Sequence, residues 1–335
     1  MIAQGPALPF LASRDNSAET RARLDMLTAE LSSGRKSDIG RAVSSDFSRL
    51  SQIAHHLRTH DARSAALSGG AVWLEVAQTS LTQAQAAGDA LAAIIPAALT
   101  APDAESIRNL SQAGRGAVVD IGRALNVDHA GRPVFANGDP GAGRPLDIEV
   151  LLAETSALAA GAADLSALLQ AFDDYFAPPP VGGIDANAIR AHATAPVSIP
   201  LGSGAALDVP VSLAERGIRD SLKQAALVAA LDKTGFALAE ADRMRLTIEL
   251  PTRTAVAADG LTAVRSRLGA LEERVARTAS QLGEERTRIE GRQAETIATD
   301  PYETASRLQG EMTRLETIFA VTARRARLRL TDYLR

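Results

Sequence analysis

His55, His56 and His60 are the residues whose types and spacing come nearest to a catalytic arrangement, since His56 and His60 lie one helical turn apart. A zincin-type centre needs a glutamate directly after the first histidine as general base, and Leu57 stands there instead. Gly138-Asp-Pro-Gly-Ala-Gly143 has the glycine spacing of a phosphate loop. Such a loop continues with a lysine for the terminal phosphates and Ser/Thr for magnesium, whereas this chain has Arg144 and Pro145. Pro145 has no amide hydrogen to donate, so the stretch reads as a surface turn beside Phe135. Asp173-Asp174 and Asp300/Glu303 are close carboxylates with no neighbour that would raise a pKa or act as a nucleophile. Arg324, Arg325, Arg327, Arg329 and Arg335 gather around a helix C-terminus, where cations complement the dipole. They are expected to be solvated or to pair with acidic groups of a neighbour. No catalytic residue, cofactor or metal is expected, and the chain is not read as an enzyme.

Composition narrows the classes further. The 335 residues hold 36 basic and 40 acidic side chains, a net charge of −4, so no basic field for duplex nucleic acid exists. Cysteine is absent, which excludes disulfides, thiolate metal sites and cysteine nucleophiles. No apolar run approaches the roughly 20 residues needed to span a bilayer. Residues 1–11 have no basic head and carry Pro6 and Pro9, so a Sec-type signal peptide is not expected. Neither nucleic acid nor membrane is expected as a partner. Hydrophobic residues make up 46% but aromatics only 3%, a balance that favours long Ala/Leu helices.

The elements that must position any site follow from periodicity. After an irregular leader over 1–13, Leu24, Leu27 and Leu31 fall on one helical face, and the helix pauses at Ser32-Ser-Gly34. From Leu50 a three–four ladder runs through Ile53, Leu57, His60, Ser64, Leu67, Ala71, Leu74, Gln78, Leu81, Gln85 and Gly88. A helix over about 45–95 would be on the order of 75 Å long, and its narrow apolar stripe must be covered by another long helix. A helix over 103–126 follows, capped by Asp103, then turn chemistry around one short strand at Val134–Ala136. Helical pattern resumes over 150–176 and stops at Pro178. Residues 181–254 read as a separate module with strands at Val197–Leu201, Leu207–Val211 and Arg245–Leu250 around a helix at about 213–231. The rod returns with Leu261, Val264, Leu268, Leu271, Val275, Leu282 and Ile289. After Pro301, placed for a helix start, comes Ala305, Leu308, Met312, Leu315, Phe319 and Thr322.

The expected fold is therefore mainly α: a long antiparallel helical bundle or coiled coil formed by the N- and C-terminal segments, with a small α+β insertion in the middle. Residues 1–40 with 303–335 would form a terminal assembly region. Residues 41–176 with 255–302 would form a rod with a β/turn segment near 127–148, and 181–254 an outer domain. The terminal pair is left with a seam that one chain cannot cover, which points to burial against neighbouring subunits.

Several segments resemble the bacterial flagellin family. Leu24-Asp-Met-Leu-Thr-Ala-Glu-Leu-Ser-Ser-Gly-Arg-Lys is similar to that family's first helix and its Leu-Ser-Ser/Thr-Gly-Lys/Arg ending. Ala65-Ala-Leu-Ser-Gly-Gly-Ala-Val-Trp-Leu-Glu-Val-Ala-Gln-Thr-Ser-Leu resembles its second long helix, and Arg132-Pro-Val-Phe-Ala-Asn-Gly-Asp the turn after its third. Leu268-Gly-Ala-Leu-Glu-Glu-Arg-Val resembles the start of its C-terminal domain. Tyr302-Glu-Thr-Ala-Ser-Arg-Leu-Gln, Phe319-Ala-Val-Thr-Ala-Arg and Leu328-Arg-Leu-Thr-Asp-Tyr-Leu are closer to the hook-associated protein 3 branch, the hook–filament junction type. The resemblance covers residues 14–140 and 261–335 and departs after Lys36, where Ser37-Asp-Ile-Gly replaces the usual Asp-Asp turn. It implies a structural subunit exported by the flagellar type III apparatus and assembled outside the cell. Its partners would be hook-associated protein 1 or the hook side, flagellin on the filament side, copies of itself, and an export chaperone. The residues expected to carry packing and assembly are Leu24, Leu27, Leu31, Leu308, Met312, Leu315, Phe319, Leu328 and Leu330. The alternatives are a filament flagellin on the same fold and a cytoplasmic coiled-coil signalling or adaptor protein.

Overall fold

A computed structural model describes residues 8–38, 40, 47–100, 104–136, 143–178, 183–190, 196–202, 205–236 and 239–333, with side chains beyond 8–14, 201, 202, 205 and 325–333. It is mainly α. The helices are α1 (Leu8–Ser33), α2 (Ser48–Thr100), α3 (Ala104–Leu125), α4 (Ile148–Gly161), α5 (Leu165–Tyr175), α6 (Gly183–Asn187), α7 (Arg216–Ala229), α8 (Glu240–Ile297) and α9 (Pro301–Tyr333). Two antiparallel hairpins are the sheets among the described residues: β1 (Asp128–His129) with β2 (Arg132–Pro133), and β3 (Val197–Gly202) with β4 (Ala205–Val209). The chain divides into two compact units, residues 1–61 with 283–335 and residues 62–282, so the boundaries fall inside α2 and α8.

In the larger unit, one continuous apolar cluster runs from Leu67 to Leu282. Leu67, Leu74, Leu81 and Ile95 of α2 are fully buried, as are Leu261 and Leu268 of α8. The two helices run antiparallel: Gln78 lies beside Gly269, Gln85 accepts from Arg265 at 2.7 Å, and Gly88 and Leu91 share a cavity with Thr254 and Ala257, so numbering rises along α2 as it falls along α8. The α3 backbone comes so near α7 that a Cβ on Gly114 would lie 2.5 Å from the Ala229 nitrogen. At the crossing of α7 with α8, Gly217 meets Gly260 backbone to backbone.

Several expectations change here. Residues of the 181–254 segment share a core with the helices before it: Ile199, Leu207, Val209, Leu222 and Leu231 belong to the same apolar cluster as α2 and α3. The hairpin rests against α2 at Gly70, where an added Cβ would lie 2.6 Å from an Ile199 methyl. Arg245–Leu250 is helix, not strand. Its alternation is equally a four-residue step: Leu246 and Leu250 are buried, while Ile248 faces out at 68% exposure. Arg253 completes the tie by pairing with Asp173 at 3.2 Å. The strand expected at Val134–Ala136 is displaced to 132–133, and Ala136 makes only an isolated bridge with Ser212. The 150–176 helix is two helices, since Asp164 caps a new start by accepting from the Ala167 amide at 2.8 Å. Helix α1 begins at Leu8, inside the expected leader, with Pro9 in the first turn, where a missing amide hydrogen costs little. Helix α2 continues through Pro96 to Thr100. The Asp103 cap lies outside the described residues.

Asp147 starts α4 and yields a pH-dependent prediction. Its carboxylate accepts from the Val150 amide at 3.1 Å and pairs with Arg190. That backbone hydrogen bond, reinforced by the Arg190 guanidinium, holds its pKa below the usual carboxylate range against the opposing effect of burial. A depressed folded pKa contributes stability that is complete above the unfolded carboxylate pKa and is lost as pH falls through the folded one. Asp147→Ala is expected to cost about 1 kcal/mol at neutral pH. In denaturant titrations at descending pH the difference from the parent chain should shrink below about pH 4.

Candidate assembly surface

The smaller unit is built on α1 and α9. Arg23 lies 3.6 Å from Glu311, the Arg21 guanidinium stands 5.4 Å above the Phe319 ring, and Arg35 bridges Ala298. As numbering rises along α1 it falls along α9, so the pair is antiparallel. Where both helices end, their flanking segments clasp: Lys36 donates to the Ile297 carbonyl at 2.9 Å, and Thr299 to the Gly34 carbonyl at 3.1 Å. Gly34 makes the sharp exit possible. Its φ of +67° is the left-handed conformation that closes a helix, and its amide donates back to Glu30 at 2.9 Å. Asp300 opens α9 by accepting from the Tyr302 and Glu303 amides at 2.8 and 3.2 Å.

Burial along α9 corrects the expected ladder by one residue at alternate steps. The inward line is Thr304, Leu308, Glu311, Leu315, Ile318 and Thr322, all buried or half-buried. Ala305, Met312 and Phe319 fall just outside it, with Met312 54% and Phe319 45% exposed. In heptad terms the covered line occupies a and d, and the exposed line of step seven occupies e. On α1, Leu24 is half-buried and Leu27 buried, while Leu31 is 39% exposed. Leu328 and Leu330 lie within α9, but their side chains are outside the described residues. An a/d stripe suits a two-helix seam. An added apolar e line widens it to the face that helices present in larger bundles.

Sequence reasoning missed the Arg21–Phe319 contact, the Arg23–Glu311 pair and the clasp, which all join residues far apart in the chain. Thr20 and Thr304, buried at 3% and 4% exposure, were also missed, though each lies one four-residue step before Leu24 or Leu308.

His60 is buried, at 5% exposure. Among the described residues no group of three metal-ligating side chains occurs, and no helix is long and apolar enough to cross a membrane. Asp173 pairs with Lys223 at 3.1 Å and with Arg253, Asp174 accepts from Gln170 at 2.9 Å, and Asp300 is a helix cap. The Gly138–Gly143 stretch lies outside the described residues up to Gly143, as do the side chains of Arg325, Arg327, Arg329 and Arg335. No protein-family model matches the chain, and no curated protein matches it.

Proposed function

We propose that this chain is a structural subunit of the bacterial flagellum that joins hook to filament by polymerising through its terminal helices. The observation that carries the reading is the half-exposed apolar line of Ala305, Met312 and Phe319, the last with Arg21 over its ring, beside an already occupied a/d seam. Covering large apolar side chains of this kind contributes about 1.5–3 kcal/mol per fully buried residue, and a neighbouring subunit's helix supplies the cover. The order of flagellin-like motifs at the two ends agrees with that use. The subunit would leave the cell through the flagellar type III apparatus with a chaperone. It would then meet the hook side, flagellin and its own copies. Its work is assembly, not catalysis.

Deleting the gene tests the reading. Cells that keep their hooks, lose filaments and release free flagellin into the medium support a junction role, whereas intact motile filaments would defeat it. Immunogold label confined to the hook tip is expected, and label along the whole filament would assign the chain to the filament instead. A point variant separates folding from assembly. Met312→Glu replaces an exposed side chain with another good helix former, so monomer stability should stay within about 0.5 kcal/mol. Polymerisation, followed by sedimentation and by rescue of the deletion strain, should be lost.

A further inference from the structure

In the larger unit, α2, α7 and α8 converge on a small cavity lined by Ala84, Gln85, Gly88, Ser221, Gln224 and Thr254, among others. Gln224 is 4% exposed, yet its Oε1 accepts no hydrogen bond from the protein. A buried amide oxygen left in that condition costs about 1–3 kcal/mol, which is too much to leave unexplained in so well packed a region. The surrounding polar atoms are already committed in one direction. Ser221 donates its hydroxyl proton to the Gly217 carbonyl at 2.9 Å, Thr254 donates to Leu250 at 2.7 Å, and the Gln85 Oε1 accepts from Arg265 at 2.7 Å. Two hydroxyl oxygens therefore keep free lone pairs, and the Gln85 amide keeps hydrogens to give.

The missing partner must be small and must donate. The cavity volume is about 20 Å³. A water molecule needs roughly 10–15 Å³, so the space suits one water. The rest of the lining is alanines, Gly88, Leu91, Leu261 and the exposed Asp89, whose carboxylate can only accept, so none of these side chains can donate to the Gln224 oxygen. We infer that the junction of α2, α7 and α8 is a binding site for a single structural water, which donates to Gln224 Oε1 and to a hydroxyl oxygen of Ser221 or Thr254, and accepts from the Gln85 amide. About three hydrogen bonds is the usual complement of a buried water. The water completes a polar joint inside an apolar three-helix contact, independently of what the protein assembles with.

Two measurements on the full chain test this. In a crystal structure at better than 2 Å, ordered solvent density is expected within hydrogen-bond distance of Gln224 Oε1, and an empty joint there would overturn the inference. In solution, oxygen-17 relaxation dispersion of the parent chain should exceed that of Gln224→Met by the amplitude of one long-lived water, with a lower melting temperature for the variant. Equal dispersion, or a variant that melts higher because an unpaired oxygen has been removed, would also overturn it. The crystallographic arm uses only the parent chain and so stands even if the variant does not fold.

Discussion

Gly217→Ala should destabilise the larger unit by about 3 kcal/mol or more, at or beyond the top of the range for overpacked cores. A Cβ at this position would lie 2.3 Å from the Gly260 carbonyl carbon, 2.4 Å from its oxygen and 2.7 Å from the Leu261 nitrogen. All three are backbone atoms of α8, so no rotamer change can relieve the overlap. The helices would have to separate, and separation would uncover Ile218 and Leu222 on α7 and Leu261 on α8, all within 1% exposure of complete burial. The chain's one tryptophan, Trp73, is buried in the same cluster, so its fluorescence during denaturant unfolding reports this unit directly. Gly116→Ala provides the contrast. It is exposed in α3 with nothing within 4 Å of the new methyl, and should stabilise by about 0.5–1 kcal/mol through helix propensity. Equal effects from both substitutions would show that backbone proximity at the α7–α8 crossing is not what matters.

Asp185→Ala is the second large effect, expected to cost about 3–5 kcal/mol. Arg219 is 4% exposed on α7, and its guanidinium donates to both Asp185 oxygens at 2.8 and 2.5 Å and to the Ala177 carbonyl at 3.2 Å. The fork ties α7 to α6 and to the segment leaving α5. Its Nε has no acceptor, so the cation depends on this carboxylate for most of its compensation. Removing Asp185 strands a charge in an apolar setting, which costs far more than the intact pair contributes. The double change Asp185→Leu with Arg219→Met removes both charges, and it should recover most of the loss. If the double variant were no more stable than Asp185→Ala, the pair would be acting through shape rather than charge.

The long helices were legible because their signal is redundant. Leu67, Leu74 and Leu81 in α2, and Leu261, Val264 and Leu268 in α8, repeat one step over many turns, so a single polar intruder such as Gln78 does not erase it. Arg245–Leu250 was illegible for the opposite reason. Six residues of alternating character fit a strand and a helix face equally, and only the burial of Leu246 and Leu250 against the core distinguishes them. The candidate assembly surface falls between these cases. The periodicity put Leu308, Met312, Leu315 and Phe319 on one ladder, and burial places Leu308 and Leu315 on the inward line with Met312 and Phe319 beside it. A three–four step tolerates either residue of an adjacent pair, and Thr304 and Glu311 fill the inward places despite their polarity.

Composition and periodicity by themselves determined that this is a mainly helical protein with long helices toward both ends. Those properties depend on neighbours within a few turns, which the local order of residues specifies. Tertiary structure alone decided which side of α9 is covered, that residues 183–236 share a core with α2 and α3, and that two glycines 43 positions apart set the α7–α8 crossing. Each of these rests on contacts between distant segments. Their cost in chain entropy is repaid only when the whole unit packs together, so no short window of sequence carries them.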